Sequence, residues 1–339
     1  MTTRTYRRWR IERFAADFYA AAALVEAPVP TPGPGEILVR NRYAGVNGIF
    51  DHGLSRNEVG YRTNLTAPID CGVESIGVVE ATGEGVHAFV PGDAAVFMAF
   101  REGGYREYSC APAANAIKVP EASPEILALM PTGVSALLAL EKAGEMKSGE
   151  TIAITAAAGG LGHILVQLAR HAGNHVVGIC GGPEKAALVR GLGVDRVIDY
   201  KSEDAAAVLA QEFKDRIDIA YDTVGGALFD ALLDNLSTFG RLIVSGFAAD
   251  MYVEPEIVSG PRVYHKLYWK NASIRSYQNA LYKPFHRDAA LRLLAMYQNG
   301  DVKIHIDPVV LEGIERVPEA IEIFRRGKTL GKQVIRLGV

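Results

Sequence analysis

A chain of 339 residues is about twice a common domain in length, and its 49% apolar content suits two cores rather than one. The formal charge of -3 leaves no basic excess to attract nucleic acid or an anionic membrane. Cys71, Cys110 and Cys180 are odd in number, far apart and without C-x-x-C spacing; they exclude a disulfide framework or zinc knuckle and read as small buried residues of a reducing compartment.

Arg4, Arg7, Arg8 and Arg10 open the chain, but Glu12, Arg13 and Asp17 interrupt any apolar run behind them, and no stretch of about 18 apolar residues occurs. A cytoplasmic protein that neither enters nor crosses a membrane is expected. Tyr6-Arg7-Arg8-Trp9-Arg10-Ile11 alternates as a first strand would. Up to about residue 120 the text stays β-like, in short runs such as Glu36 to Asn41, Ser75 to Glu80 and Ala94 to Met98. The grammar changes at Ser123-Pro124-Glu125, an N-cap, a proline at the first helical position and an acidic first turn. From Glu150 onward, strands and helices alternate: Thr151 to Thr155, His175 to Cys180, Arg196 to Tyr200, Ile217 to Val224, Arg241 to Phe247 and Ser273 to Tyr277 are the strands. Such βαβ alternation predicts a parallel, doubly wound sheet. The aromatic stretch Met251 to Lys270 fits either a loop over a cleft or an interface segment, and the closing strand Gln333 to Leu337 should return to the first domain. The expected division is 1–124, 125–280 and 281–339.

The run Ala156-Ala157-Ala158-Gly159-Gly160-Leu161-Gly162 follows the first of these strands and opens a helix, as the dinucleotide fingerprint G-x-G-x-x-G does. Ala157 is expected in the tight turn, Gly159 where backbone meets pyrophosphate, and Gly162 where helix packs on strand; Gly160 and Leu161 complete the cradle at the helix N-terminus. At the end of the second strand, where an NAD enzyme carries Asp or Glu for the ribose hydroxyls, stand Cys180-Gly181-Gly182. Lys185 and Tyr200 would instead hold a 2′-phosphate, which favours NADPH over NADH; Glu184, taking the ribose hydroxyls, is the competing reading.

Several runs together resemble the medium-chain dehydrogenase/reductase superfamily in its zinc-free quinone oxidoreductase and enone reductase branch, the prostaglandin reductases above all. They are Pro32 to Arg40, Gly45-Val46-Asn47, Gly72-Val73-Glu74, Pro91-Gly92-Asp93, Gly104 to Tyr108, the glycine run, Asp222 to Gly226, Arg241 to Phe247 and Gly331-Lys332, nearly the whole chain in family order. The resemblance implies a GroES-like catalytic domain, a Rossmann NADP-binding domain and a homodimer. At the positions of the family's zinc ligands stand Asn47 and Val73, the Met130-Pro131-Thr132 region offers no cysteine, and His52 with Glu74 makes a poor substitute pair. The implied activity is therefore metal-free, NADPH-dependent reduction of α,β-unsaturated ketones or aldehydes, as in a prostaglandin or 2-alkenal reductase. Quinone reduction and a non-catalytic NADPH-binding role are the alternatives. By the same resemblance Asn47 is a donor near the nicotinamide, Tyr61 a proton donor or enolate stabiliser, and Ser135, Ser245, Gly246, Phe247 and Tyr277 line the nicotinamide pocket. Val46 to Asp51 holds one residue more than the usual V-N-x-x-D, and Thr329-Leu330 replaces Asn-Thr, which leaves pocket shape open.

Overall fold

The computed structural model describes residues 4–59 (of residue 49 the backbone alone), 65–98, 104–251, 253 and 256–338. The chain divides into two units, Met1–Pro131 with Ile306–Val339, and Thr132–His305. Residues 281–305, including the helix His286–Gln298, thus fall with the second unit, and the segment that returns to the first begins at Ile306.

In the first unit Thr5–Ile11 is the expected strand, flanked by Ala22–Pro28 and Ile69–Asp70 in a three-stranded antiparallel sheet. Its basic residues are each paired: Arg7 with Glu107 at 2.8 Å, Arg8 with Asp70 at 3.0 Å, Arg10 with Glu12 at 3.3 Å. The larger sheet runs Leu311–Glu312, Val334–Arg336, Glu36–Gly45, Ser75–Thr82, Ala94–Phe97, Ala116–Val119, with Tyr108–Pro112 also paired to Glu36–Gly45. Alternation in these runs turns Ile37, Val39, Val79 and Phe97 into a fully enclosed core. The closing strand Val334–Arg336 lies antiparallel to Tyr43, Ala44 and Gly45, as the sequence led one to expect.

Three helices of this unit among the described residues were not foreseen, the short Phe18–Ala21 and the longer Gly48–Arg56 and Val317–Arg325. Leu54 from the first of the longer pair and Val317 and Ile321 from the second join one apolar cluster. Gly48 is required there, because a Cβ would run into the Phe324 ring.

The second unit holds six parallel strands in the order Arg196–Asp199, His175–Cys180, Thr151–Ile154, Ile217–Asp222, Leu236–Val244, Ser273–Ser276. Numbered along the chain this is 3-2-1-4-5-6, the doubly wound order, with its reversal between Thr151–Ile154 and Ile217–Asp222. The helix Ala205–Glu212, also unforeseen, is capped by Asp204, whose carboxylate accepts from the Ala206 and Ala207 N–H groups. One helix among the described residues, Pro124–Ala143, has the length and apolarity to cross a membrane, but 83% of its apolar window is buried within the protein. It passes Pro131 by widening into a π turn at Leu129–Gly133, which absorbs the missing N–H donor.

Candidate active site

Because all six strands of the second unit run the same way, their carboxyl ends bring the loops 155–162, 180–182, 199–201, 222–226 and 245–247 to one edge. Backbone bonds carry the strand register into these loops: Thr155 N–H donates to the Tyr221 carbonyl, Ala157 to Ile179, Tyr200 to Cys180, Ser245 to Asp222 and Tyr277 to Val244. Every expected cofactor residue of this unit except Ser135 lies in or beside these strand ends, and Ser135 joins them through a hydrogen bond to Tyr277.

Ala157 lies fully buried in the turn that follows the strand, and the left-handed position of that turn is its neighbour Ala156, at φ 48°. Its two glycines are needed for different reasons. A Cβ on Gly162 would collide with the Ala156 carbonyl oxygen and lie 2.7 Å from Ala157 Cα, so the fold itself demands glycine. A Cβ on Gly159 would meet only the Ala156 oxygen, at 3.2 Å, and otherwise point into open space. What Gly159 keeps clear is room for something to approach the backbone, as pyrophosphate does.

At the second strand's end Gly182 has φ 100°, and a Cβ on Gly181 would run into the Tyr200 phenol. The carboxylate at the end of the neighbouring strand, Asp199, is spent on backbone: it accepts from Gly182 N–H at 2.7 Å and Lys201 N–H at 3.0 Å, and these bonds hold its pKa below the usual range. Glu184 is exposed on the first turn of the following helix. Tyr200 is half-exposed beside Gly181, Lys185 lies close enough to Cys180 to act on its thiol, and the Lys201 chain passes 3.8 Å from where a Gly182 Cβ would sit. Lys201 is a cation that the sequence reading passed over, although it adjoins Tyr200. Two lysines and a phenol, with Asp199 already bonded to backbone and Glu184 turned to solvent, suit a phosphate better than a pair of ribose hydroxyls.

Asp222, fully buried at the end of the fourth strand, ties the switch point together. It accepts from the Thr155 hydroxyl at 2.9 Å, from Val224 N–H at 2.9 Å and from Gly225 N–H at 3.0 Å. The motif position was visible in the sequence, but its role as a clamp between the first and fourth strands was not. Gly246 is buried beside Ser245, and Phe247 is half-exposed against the Gly225 turn. Tyr277 donates to Asn279 Oδ1 at 2.8 Å and stacks on Tyr282, and burial pushes its phenol pKa up.

Asn47 belongs to the first unit, and Tyr61 lies outside the described residues. Asn47 precedes the helix Gly48–Arg56, yet its side chain makes no capping hydrogen bond. Asp51 closes the longer V-N-x-x-x-D loop instead, accepting from Asn47 N–H at 2.9 Å and from the Tyr105 hydroxyl at 2.6 Å. Asn47 Oδ1 accepts from the Lys332 ammonium at 3.3 Å, and its Nδ2 has only a long 3.4 Å contact to the Gly45 carbonyl. Glu74, entertained above as a ligand, is committed to Lys332 at 2.6 Å. Among the described residues no group of three or more His, Cys, Asp or Glu side chains is arranged to hold a metal.

Burial is the largest influence on Asp51 and pushes its pKa up to about 7, against the bonds from Tyr105 and Asn47 and the nearby Lys332 ammonium. The folded chain therefore holds a proton here that the unfolded chain releases near 3.8, so stability falls as pH rises from about 4 to about 7. Asp51→Asn keeps an oxygen for both donors and removes the titration. Urea midpoints of variant and parent should lie closest near about pH 3, with the variant progressively ahead from about pH 4 to about pH 8; parallel curves would contradict the raised pKa.

Two family models cover most of both units: the alcohol dehydrogenase GroES-like domain over residues 33–121 and the zinc-binding dehydrogenase over 160–287. Prostaglandin reductase-3 of Mus musculus is 38% identical, over 98% of this chain and 90% of its own. A probable quinone oxidoreductase of Leishmania amazonensis is 32% identical, over 98% of both chains. The solved structure of Escherichia coli quinone oxidoreductase with NADPH superimposes with a TM-score of 0.82 at 25% identity, covering 97% of this chain and 99% of that one. The strand order, the glycine turn and these relatives agree: the chain belongs to the medium-chain dehydrogenase/reductase superfamily, in the oxidoreductase branch of the prostaglandin reductases and quinone oxidoreductases.

Proposed function

We propose that this chain is a cytoplasmic, NADPH-dependent reductase of α,β-unsaturated ketones and aldehydes that works without a metal ion. The observation that carries the reading is Asn47. Its side chain is not used as a helix cap, its oxygen is turned to Lys332 and one N–H is directed at the Gly45 carbonyl, so its other amide N–H is what it offers to a substrate oxygen. NADPH as cofactor is supported by the Lys185, Tyr200 and Lys201 corner, and by the NADPH bound to the E. coli relative. When bound, NADPH supplies a hydride for the β-carbon. The Asn47 N–H then stabilises the developing enolate oxygen, a hydrogen bond worth most where charge appears in the transition state. Tyr61 or water returns the proton, and Ser135 and Tyr277 position the nicotinamide. Quinone reduction is the second reading, favoured by the names of the Leishmania and E. coli relatives.

A panel assay following NADPH loss with a conjugated keto lipid, a short enone, a naphthoquinone and a saturated aldehyde tests the reaction class. Enones should be turned over fastest, and consumption with the saturated aldehyde alone would overturn the mechanism. Asn47→Ala and Asn47→Asp should both lower kcat by about a hundredfold, since neither can donate; a wild-type rate in Asn47→Asp would show that donation is not the role. Lys185→Ala should weaken NADPH by about tenfold and NADH little. Equal losses for the two cofactors would remove Lys185 from the phosphate site. The proposed homodimer is checked by light scattering.

A further inference from the structure

The Lys332 ammonium is almost fully enclosed, with its side chain 5% exposed and that of Glu74 1% exposed. A primary amide can present either end to a neighbour, but an ammonium only donates, so a buried lysine selects the oxygen end. Lys332 aims hydrogen bonds at the Val46 carbonyl, 3.0 Å away, and at Asn47 Oδ1, 3.3 Å away. Glu74 supplies the compensating charge from 2.6 Å.

The surroundings fix the lysine before any ligand arrives. Its carbonyl accepts from Asp307 N–H at 2.8 Å, Gln333 accepts from Val46 N–H at 3.1 Å, and Val334 pairs with Gly45. Gly45 has no Cβ to block Glu74; one placed there would overlap the carboxylate. Two buried carboxyls and one ammonium share this corner, and Asp51, held protonated to about 7, leaves Glu74 as the partner of the cation.

We infer that Lys332, charge-balanced by Glu74, is a positioning residue that locks the Asn47 amide with its oxygen on the ammonium, so that the N–H not directed at the Gly45 carbonyl is kept for a substrate oxygen. The inference rests on the reading of Asn47 as the donor to substrate, and the experiment separates the two. Lys332→Met alone strands a buried carboxylate, so the working variant is Lys332→Met with Glu74→Gln, which removes both charges together. It is measured with and without Asn47→Ala, for thermal midpoint, NADPH affinity, and kcat and KM with a conjugated acceptor.

The paired variant should recover most of the thermal midpoint lost in Lys332→Met and bind NADPH within about twofold of wild type, yet lose about tenfold in kcat. Adding Asn47→Ala should bring it only to the level of Asn47→Ala in the parent, about a hundredfold down, and not to the about thousandfold loss of independent effects. Lys332→Arg, which keeps a buried donor, should retain more kcat than the paired variant. Multiplying losses, or a paired variant as active as the parent, would overturn the positioning role. A wild-type rate in Asn47→Ala alone would instead overturn the underlying reading of Asn47, and the inference with it.

Discussion

Gly162→Ala should all but abolish cofactor binding while weakening the fold. The added Cβ meets backbone, the Ala156 carbonyl and Ala157 Cα, and backbone cannot rotate out of the way as a side chain would. Forcing even one methyl into such a contact costs about 1–3 kcal/mol. The displaced turn carries the N–H groups that would face the phosphates, so NADPH affinity should fall by more than about tenfold. Gly159→Ala is the control: its Cβ is nearly unobstructed, so the thermal midpoint should stay near that of the parent while NADPH binding still weakens. Unfolding curves and NADPH fluorescence titrations of the two variants separate a glycine the fold needs from one the ligand needs. Normal binding in Gly162→Ala would show that the turn does not govern the site.

Lys332→Met should give the largest loss of stability of any single change proposed. Removing one partner of a buried ion pair leaves the other desolvated and uncompensated, at about 3–5 kcal/mol. That is a large part of the about 5–15 kcal/mol that holds a typical domain folded. Glu74 is almost fully buried, in the space that Gly45 leaves by lacking a Cβ. Urea denaturation near neutral pH reads the loss. A loss below about 1 kcal/mol would mean that the pair is hydrated.

Much of the second unit could be read in the sequence because its strands are short apolar runs and its helices carry one-sided stripes, both local signals. Ala205–Glu212 escaped because three consecutive alanines follow Asp204 and leave little apolar contrast between its faces. Gly48–Arg56 escaped because a glycine opens it in a region of β-like text. The candidate site was legible wherever chemistry sits in one loop, as at Gly159, Gly162 and Tyr200. Lys201 was adjacent and simply unused. The Lys332–Glu74 pair could not be found by spacing at all: it exists because Val334–Arg336 pairs antiparallel with Tyr43, Ala44 and Gly45, and strand pairing over such separations leaves no local trace.

An alanine at φ 48° stays there because its neighbours hold it, Ala157 N–H on the Ile179 carbonyl and Gly159 N–H on Ala156 itself, against a strain of about 1–2 kcal/mol. The phosphate cradle is thus a shape imposed by the sheet and only partly a string of glycines. Chains that drift away from glycine at this point can keep the cradle, so counting glycines undercounts the proteins able to receive a dinucleotide.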